Sequence, residues 1–150
     1  TEDDQATLAL FTAEDQQWTT VRLTDAGRAR MSEVASEHCS AWQGLGVSIL
    51  HRLIVGTLLA DLSEEGANLP APKYVRSIDE VVEGLQHGDG VGRDHTGQKG
   101  SGGRFELAAL VMPATLGHIR AISNAAERMP AKSTYFYPKL LSGLLFNPLE

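Results

Sequence analysis

The chain has 150 residues, of which 42% are hydrophobic and 21% are charged, and its formal net charge is −6. These values are ordinary for a globular protein, and the length fits one domain. The negative charge argues against a general nucleic-acid binder, which needs a basic face, so we expect no nucleic-acid partner.

The charge is unevenly distributed along the chain. Residues 1–65 carry eleven acidic and four basic side chains, whereas residues 93–150 carry four acidic and seven basic ones. An anionic ligand would therefore bind to the last third of the chain, although a chance fluctuation explains the same pattern equally well.

The first residues are acidic and polar, unlike a secretory signal. The longest apolar run, Leu45 to Ala60, contains His51 and is shorter than the ~20 residues that a membrane-spanning helix needs. The only cysteine, Cys39, excludes an internal disulfide. We therefore expect a cytoplasmic protein without a membrane partner. Because the sequence starts at Thr1 rather than Met, we also expect it to be a piece of a longer protein.

The first third of the chain predicts a β-hairpin followed by a helix. Residues 7–13, TLALFTA, alternate in polarity, and residues 18–23, WTTVRL, have the β-branched and aromatic composition of a strand. Thr24 can then N-cap a helix that runs to about Glu37, with Asp25 in its first turn.

Residues 47–60 predict a core helix, because five apolar side chains recur there at helical spacing. These side chains are Ile49, Leu50, Leu53, Ile54 and Leu58. Residues 73–78, KYVRSI, have the composition of a strand, and Ser77 or Asp79 then caps a short helix.

The second half begins with residues 86–103, which are glycine-rich and polar and predict a mobile loop. Residues 105–112, FELAALVM, are typical of a central strand buried on both faces. Residues 114–128 predict a helix, and residues 143–147 predict a final buried strand. The inward side chains of that helix are expected to be Leu116, Ile119, Ile122 and Ala126.

This order of elements predicts the α+β class. We expect a single two-layer domain over residues 1–150, with a mixed sheet of about five strands and three to four helices. The strands would be the two of the hairpin, residues 73–78, the central strand 105–112 and the final strand 143–147.

Two features of the glycine-rich loop are weak indications of a phosphate-binding or metal site. The run GRDHTGQK, residues 92–99, approaches a phosphate-binding loop, but Lys99 is displaced by one position and a helix rather than a strand precedes it. The histidines and aspartates of residues 87–95 lack metal-ligand spacing. We therefore predict no metal site and no cofactor.

The remaining histidines and the cysteine also favour structural roles. Cys39 follows His38, but neighbouring residues on a helix point about 100° apart, so we interpret Cys39 as a small buried residue rather than a nucleophile. His51 and His118 are expected to be hydrogen-bonded or solvated rather than catalytic.

The strongest candidate site is the run MPAKSTYFYPKLLSGLLFNP, residues 129–148. It combines ammonium groups, two hydroxyls and unpaired backbone N–H groups, which together suit an anion. Two phenols share one side of its extended part. The candidate anion ligands are Lys132, Ser133, Thr134, Tyr135, Tyr137 and Lys139.

An ordinary connection explains the same residues. In that interpretation Phe136 anchors the segment, the hydroxyls cap backbone groups and the lysines are solvated. Both interpretations of residues 129–139 stay open at the level of the sequence.

Residues 129–149, MPAKSTYFYPKLLSGLLFNPL, and residues 47–54, VSILHRLI, resemble the C-terminal part of the DUF1015 family, a group of uncharacterised bacterial and archaeal proteins. The run FELAALVMPAT, residues 105–115, is similar to the family's strand before its last helix. Gly46 departs from the pattern, because the family tends to have an aspartate there that would N-cap the helix. The loop after Leu85 also looks longer than the family's.

The resemblance implies a missing N-terminal part with a histidine-rich motif, similar to those of ParB-like and free-serine-kinase-like nucleotide-binding proteins. Residues 129–139 would then complete a ligand site shared with that part, for a phosphorylated small molecule or a nucleotide. The alternative is a non-catalytic module that docks the N-terminal domain or a second subunit in a homodimer. The sequence does not decide whether the protein is an enzyme.

Overall fold

The computed structural model describes residues 4–62, 72–75, 77–87 and 105–134. Over these residues the fold is α+β, as the element order predicts. The strands are β1 (Thr7–Thr12), β2 (Gln17–Arg22) and β3 (Leu107–Val111). The helices are α1 (Asp25–Val34), α2 (Ser40–Gln43), α3 (the continuous run 46–62), α4 (Ile78–His87) and α5 (Leu116–Asn124).

Strand β1 lies in the middle of the described sheet, between β2 and β3, and both pairings are antiparallel. The predicted hairpin is confirmed. Leu8, which is 2% exposed, lies opposite Val21 on one side and Val111 on the other. All three side chains pack into the helical core, so this row joins the sheet to the helices.

The predicted position of residues 105–112 at the centre of the sheet is wrong for the described residues. Strand β3 lies at an edge, and its side chains are half-buried or exposed. A continuous apolar run suits a strand covered on both faces, but it does not distinguish that strand from an edge strand with one partner.

Residues 73–78 do not form the predicted strand. Residues 73–75 have no regular structure, and Ile78 already begins α4. The Ser77 hydroxyl accepts a hydrogen bond from the Glu80 N–H at 3.2 Å, so the helix cap overrides the strand composition of the preceding residues.

The mixed sheet of about five strands is not confirmed, because the described residues contain three antiparallel strands. The predicted final strand, residues 143–147, lies outside the described residues. So does most of the predicted loop 86–103, whose first two residues instead end α4.

The predicted cap of α1 is confirmed, because the Thr24 hydroxyl accepts from the Gly27 N–H at 3.2 Å. Helix α5 begins after Thr115 and buries Ile122 completely. The predicted inward orientation of Leu116 is wrong, since this side chain is 79% exposed. It lies in the first turn, about 120° around the helix axis from Ile122.

Helix α3 supplies much of the core, but its side chains do not follow an α-helical period throughout. Ile49 and Leu53 are buried as predicted, whereas Leu58, which was predicted on the same apolar face, is 51% exposed. Hydrogen bonds over Ile49–Leu59 follow the wider π-helical pattern. The apolar face predicted at 3.6 residues per turn is therefore lost toward the end of the helix. No helix among the described residues combines the length and apolarity needed to cross a membrane.

The side chain of Gln5 joins three separate segments. Its Nε2 donates to the Pro113 carbonyl at 2.9 Å, and its Oε1 accepts from the Gly46 N–H at 3.0 Å. Leu45, at the N-cap of α3, provides no side-chain cap, so Gln5 provides this hydrogen bond from a distance. A Cβ at position 46 would lie 3.2 Å from the Gln5 carbonyl oxygen, which explains a glycine there.

We predict that Gln5→Ala lowers the free energy of unfolding by about 1–3 kcal/mol, because the buried Gly46 N–H loses its partner and the Pro113 carbonyl loses a partly buried hydrogen bond. Urea denaturation at neutral pH measures the change. Gln17→Ala, on the exposed part of β2, is the matched control and should change the value by less than about 0.5 kcal/mol. Equal midpoints for the two variants would contradict the prediction.

Candidate functional site

The first two predicted anion ligands, Lys132 and Ser133, lie in a turn that hydrogen bonds from Ser133 to Pro130 close. The Ser133 hydroxyl donates to the Pro130 carbonyl at 2.6 Å, and the Ser133 N–H donates to the same oxygen at 3.3 Å. The hydroxyl hydrogen is therefore used by the main chain, which is what an ordinary connection predicts for Ser133. Thr134 is half-buried, and Lys132 is exposed with a φ of 61°.

Tyr135, Tyr137 and Lys139 lie outside the described residues, and the role of the whole set in anion binding stays a prediction. The same turn does, however, border a groove. Pro130 and Ala131 form part of its wall.

This groove has a volume of about 220 Å³. We call it the His51 groove, and its lining residues are Trp42, Ser48, His51, Arg52, Tyr74, Pro130 and Ala131. Two of the sequence runs that carry the family resemblance, residues 47–54 and the start of 129–149, therefore meet at one surface. His51 was expected to be hydrogen-bonded or solvated, and no local pattern in the sequence predicts its position beside residues 130 and 131.

His51 and Tyr74 form one wall of the groove. Their rings stack with centroids 5.6 Å apart and an interplanar angle of 17°, and His51 Nε2 lies 3.3 Å from the Tyr74 hydroxyl. Burial lowers the pKa of His51 below its ordinary value of 6.5, so the imidazole is neutral at pH 7. This wall therefore offers hydrogen-bond donors and acceptors without a net charge.

Ser48 is the most unusual polar residue of the groove. The residue is fully buried, and its hydroxyl has no hydrogen-bond partner among the described residues. Leaving a buried hydroxyl unpaired costs about 1–3 kcal/mol, and such a group in a native protein usually meets an ordered water or a ligand. Ser48 is also one of the residues that line the groove.

Arg52 does not add a free positive charge to the groove. Its guanidinium pairs with the Glu37 carboxylate, which also lies 3.6 Å from His38 Nε2. With a neutral His51 and a paired Arg52, the groove suits the uncharged part of a ligand better than its anionic part.

A second polar cluster connects the two residues before α2 with Glu127, which follows α5. His38 Nδ1 lies 2.8 Å from Glu127 Oε2, and the Cys39 N–H donates to Glu127 Oε1 at 2.6 Å. The His38 ring also stacks on Trp42 with centroids 3.7 Å apart. The hydrogen bond from His38 lowers the pKa of Glu127.

His38 and Cys39 thus share Glu127 as a partner, His38 through its ring and Cys39 through its backbone N–H. Cys39 is half-buried and packs against the core, close to the role interpreted from the sequence. The role of Glu127 is not predictable from the sequence, because no local motif links it to His38 and Cys39, which lie 89 and 88 positions earlier. In the part of the chain that the structure describes, no His, Cys, Asp and Glu side chains are grouped to hold a metal ion.

Comparisons of this chain with protein-family models, with curated proteins and with solved structures find no match. The resemblance to the DUF1015 family therefore stays a prediction. The physical features of the His51 groove carry the functional proposal.

We predict that Ser48→Ala raises the free energy of unfolding by about 1 kcal/mol, because it removes a buried hydroxyl that lacks a partner. Chemical denaturation measures the change. Ser32→Ala in α1 is the control for helix propensity, since the exposed Ser32 hydroxyl already bonds to the Arg28 carbonyl at 3.1 Å. Clear destabilisation by Ser48→Ala would show that the hydroxyl has a partner in solution.

We predict that Glu127→Gln removes part of the acid sensitivity of the protein. The pKa of Glu127 is lowered in the folded state, so its stabilisation is present above the ordinary value of 4.5 and is lost as the pH falls through the lower folded value. Wild type should melt above the variant at pH 7, and the difference should shrink below pH 4.5. Thermal melting from pH 7 to 3 measures it.

The matched control for that series is Glu14→Gln, in the exposed hairpin turn. It removes the same charge without touching the cluster of His38, Cys39 and Glu127. A pH-independent difference between wild type and Glu127→Gln would contradict the assignment.

Proposed function

We propose that this chain is the ligand-binding C-terminal part of a DUF1015-like protein and that the His51 groove receives one end of a phosphorylated small molecule or nucleotide. The observation that carries the proposal is the buried hydroxyl of Ser48, which has no hydrogen-bond partner among the described residues and lies beside a groove walled by His51 and Tyr74. A hydrogen-bonding group of the ligand would satisfy it.

The lining of the groove supports a flat or ring-shaped ligand part. Trp42, Pro130 and Ala131 contribute apolar surface, while the stacked rings of His51 and Tyr74 contribute two polar edges. The volume of about 220 Å³ lies below the 300–1,000 Å³ of typical small-molecule sites. The groove therefore suits a single ring or sugar, and the rest of the ligand would extend beyond it.

The anionic part of the ligand is assigned to Lys132. This residue follows Ala131 of the groove wall, is exposed, and forms no ion pair with a carboxylate among the described residues. A phosphate would gain a charge-assisted hydrogen bond from its ammonium group. The missing N-terminal part would cover the remaining surface of the ligand.

We predict that adenosine monophosphate binds more tightly than adenosine, because the two molecules differ only in the phosphate assigned to Lys132. Lys132→Ala should abolish this difference, and His51→Ala should weaken both ligands by about tenfold, which corresponds to loss of one good hydrogen bond. Isothermal titration calorimetry on the 150-residue chain measures the affinities.

Arg30→Ala is the control, since Arg30 pairs with Glu33 on the exposed surface of α1. Absence of binding for both ligands, or equal affinities for wild type and His51→Ala, would remove the proposal.

A second function, a non-catalytic module that docks the N-terminal part or another subunit, is favoured by one observation. The Ser133 hydroxyl and N–H are both used by the Pro130 carbonyl, as expected for a structural connection. Light scattering on the purified chain, combined with the titrations, separates the two functions. A stable dimer with no ligand response supports the module, whereas a monomer that binds adenosine monophosphate argues against it.

A further inference from the structure

A separate cleft of about 380 Å³ shares no lining residue with the His51 groove. Arg22, at the end of β2, and Arg28, in α1, both line it, together with Ser40, His118 and Asp4. We call it the Arg22–Arg28 cleft. The Thr24 cap sets the turn between β2 and α1, so the two arginines reach one surface through a short connection.

Neither guanidinium group of the cleft pairs with a carboxylate among the described residues. Arg22 and Arg28 are exposed and form no ion pair within the described ranges. Arg30 and Arg52, in contrast, each pair with a glutamate. Two like charges that line one cleft repel each other, and an anion placed between them would relieve that repulsion.

Polar side chains of the cleft lie beside the two arginines. His118 is held in place there, because its Nδ1 accepts from the Thr115 N–H at 3.0 Å. The Ser40 side chain is exposed, so its hydroxyl is accessible from the cleft. Asp4 is the acidic lining residue, and its Oδ2 already accepts from the Thr7 hydroxyl at 2.6 Å.

We propose that the Arg22–Arg28 cleft is a binding site for a compact phosphomonoester. Two guanidinium groups can hold a phosphate through paired hydrogen bonds, which a single lysine does not provide. The volume of about 380 Å³ lies within the range of small-molecule sites and exceeds that of the His51 groove. The site is independent of the ligand assigned to the His51 groove.

The test is a titration of the 150-residue chain with inorganic phosphate and with phenyl phosphate at low ionic strength. Arg22→Gln and Arg28→Gln should each weaken phenyl phosphate by about tenfold, the usual size for one charge-assisted contact. Arg22→Lys should retain part of the affinity, because it keeps the charge but not the paired hydrogen bonds. Amide chemical-shift changes should be largest at Ala41 and Gly44, which also line the cleft.

The control is Arg30→Gln, which removes an equal charge from the same helix and should leave the affinity unchanged. Lys132→Ala should also leave it unchanged, so this proposal and that for the His51 groove fail separately. Three results would overturn the site: no binding at millimolar phenyl phosphate, wild-type affinity in the Arg22→Gln/Arg28→Gln double variant, or loss of binding in Lys132→Ala. Melting curves confirm that each variant is folded.

Discussion

The arrangement of the described residues depends on one buried amide, that of Gln5. Its oxygen binds the first N–H of α3 and its nitrogen binds the carbonyl of Pro113, just beyond β3. Helix α3 carries Ser48 and His51, so this one side chain holds the His51 groove in place relative to the sheet. Both sides of the amide are satisfied, which is the condition under which a buried polar group specifies a structure rather than weakening it.

Local signals in the sequence predicted the elements well, and long-range pairing was where prediction failed. The caps at Thr24 and Ser77 and the hairpin were correct, because each depends on residues within a few positions of one another. The position of β3 at the edge of the described sheet was not predicted, since an apolar run indicates burial but not the number of neighbouring strands. The spacing of buried side chains along α3 was predicted incorrectly, because no pattern in the sequence indicates the change from α- to π-helical hydrogen bonding.

The candidate site was predicted in part, by location rather than by residue. Pro130 and Ala131 of the predicted segment do border a groove. The polar edges of this groove come from His51 and Tyr74, for which the sequence predicted no role in a site. Only the folded chain brings them together, because the contributing segments are far apart in the sequence. The same holds for Arg22 and Arg28, whose importance depends on their shared cleft and on the lack of an ion pair to either of them among the described residues, rather than on any motif.

The pairing of Leu8 with Val111 has a kinetic consequence for a growing polypeptide. The hairpin of β1 and β2 emerges from the ribosome long before β3. Until β3 is made, the backbone donors and acceptors along one side of β1 have no strand to pair with. Closing such a distant contact costs chain entropy and slows folding. During that interval the open edge can pair with a strand of another chain, which makes translation speed and chaperone capture determinants of the yield of native protein.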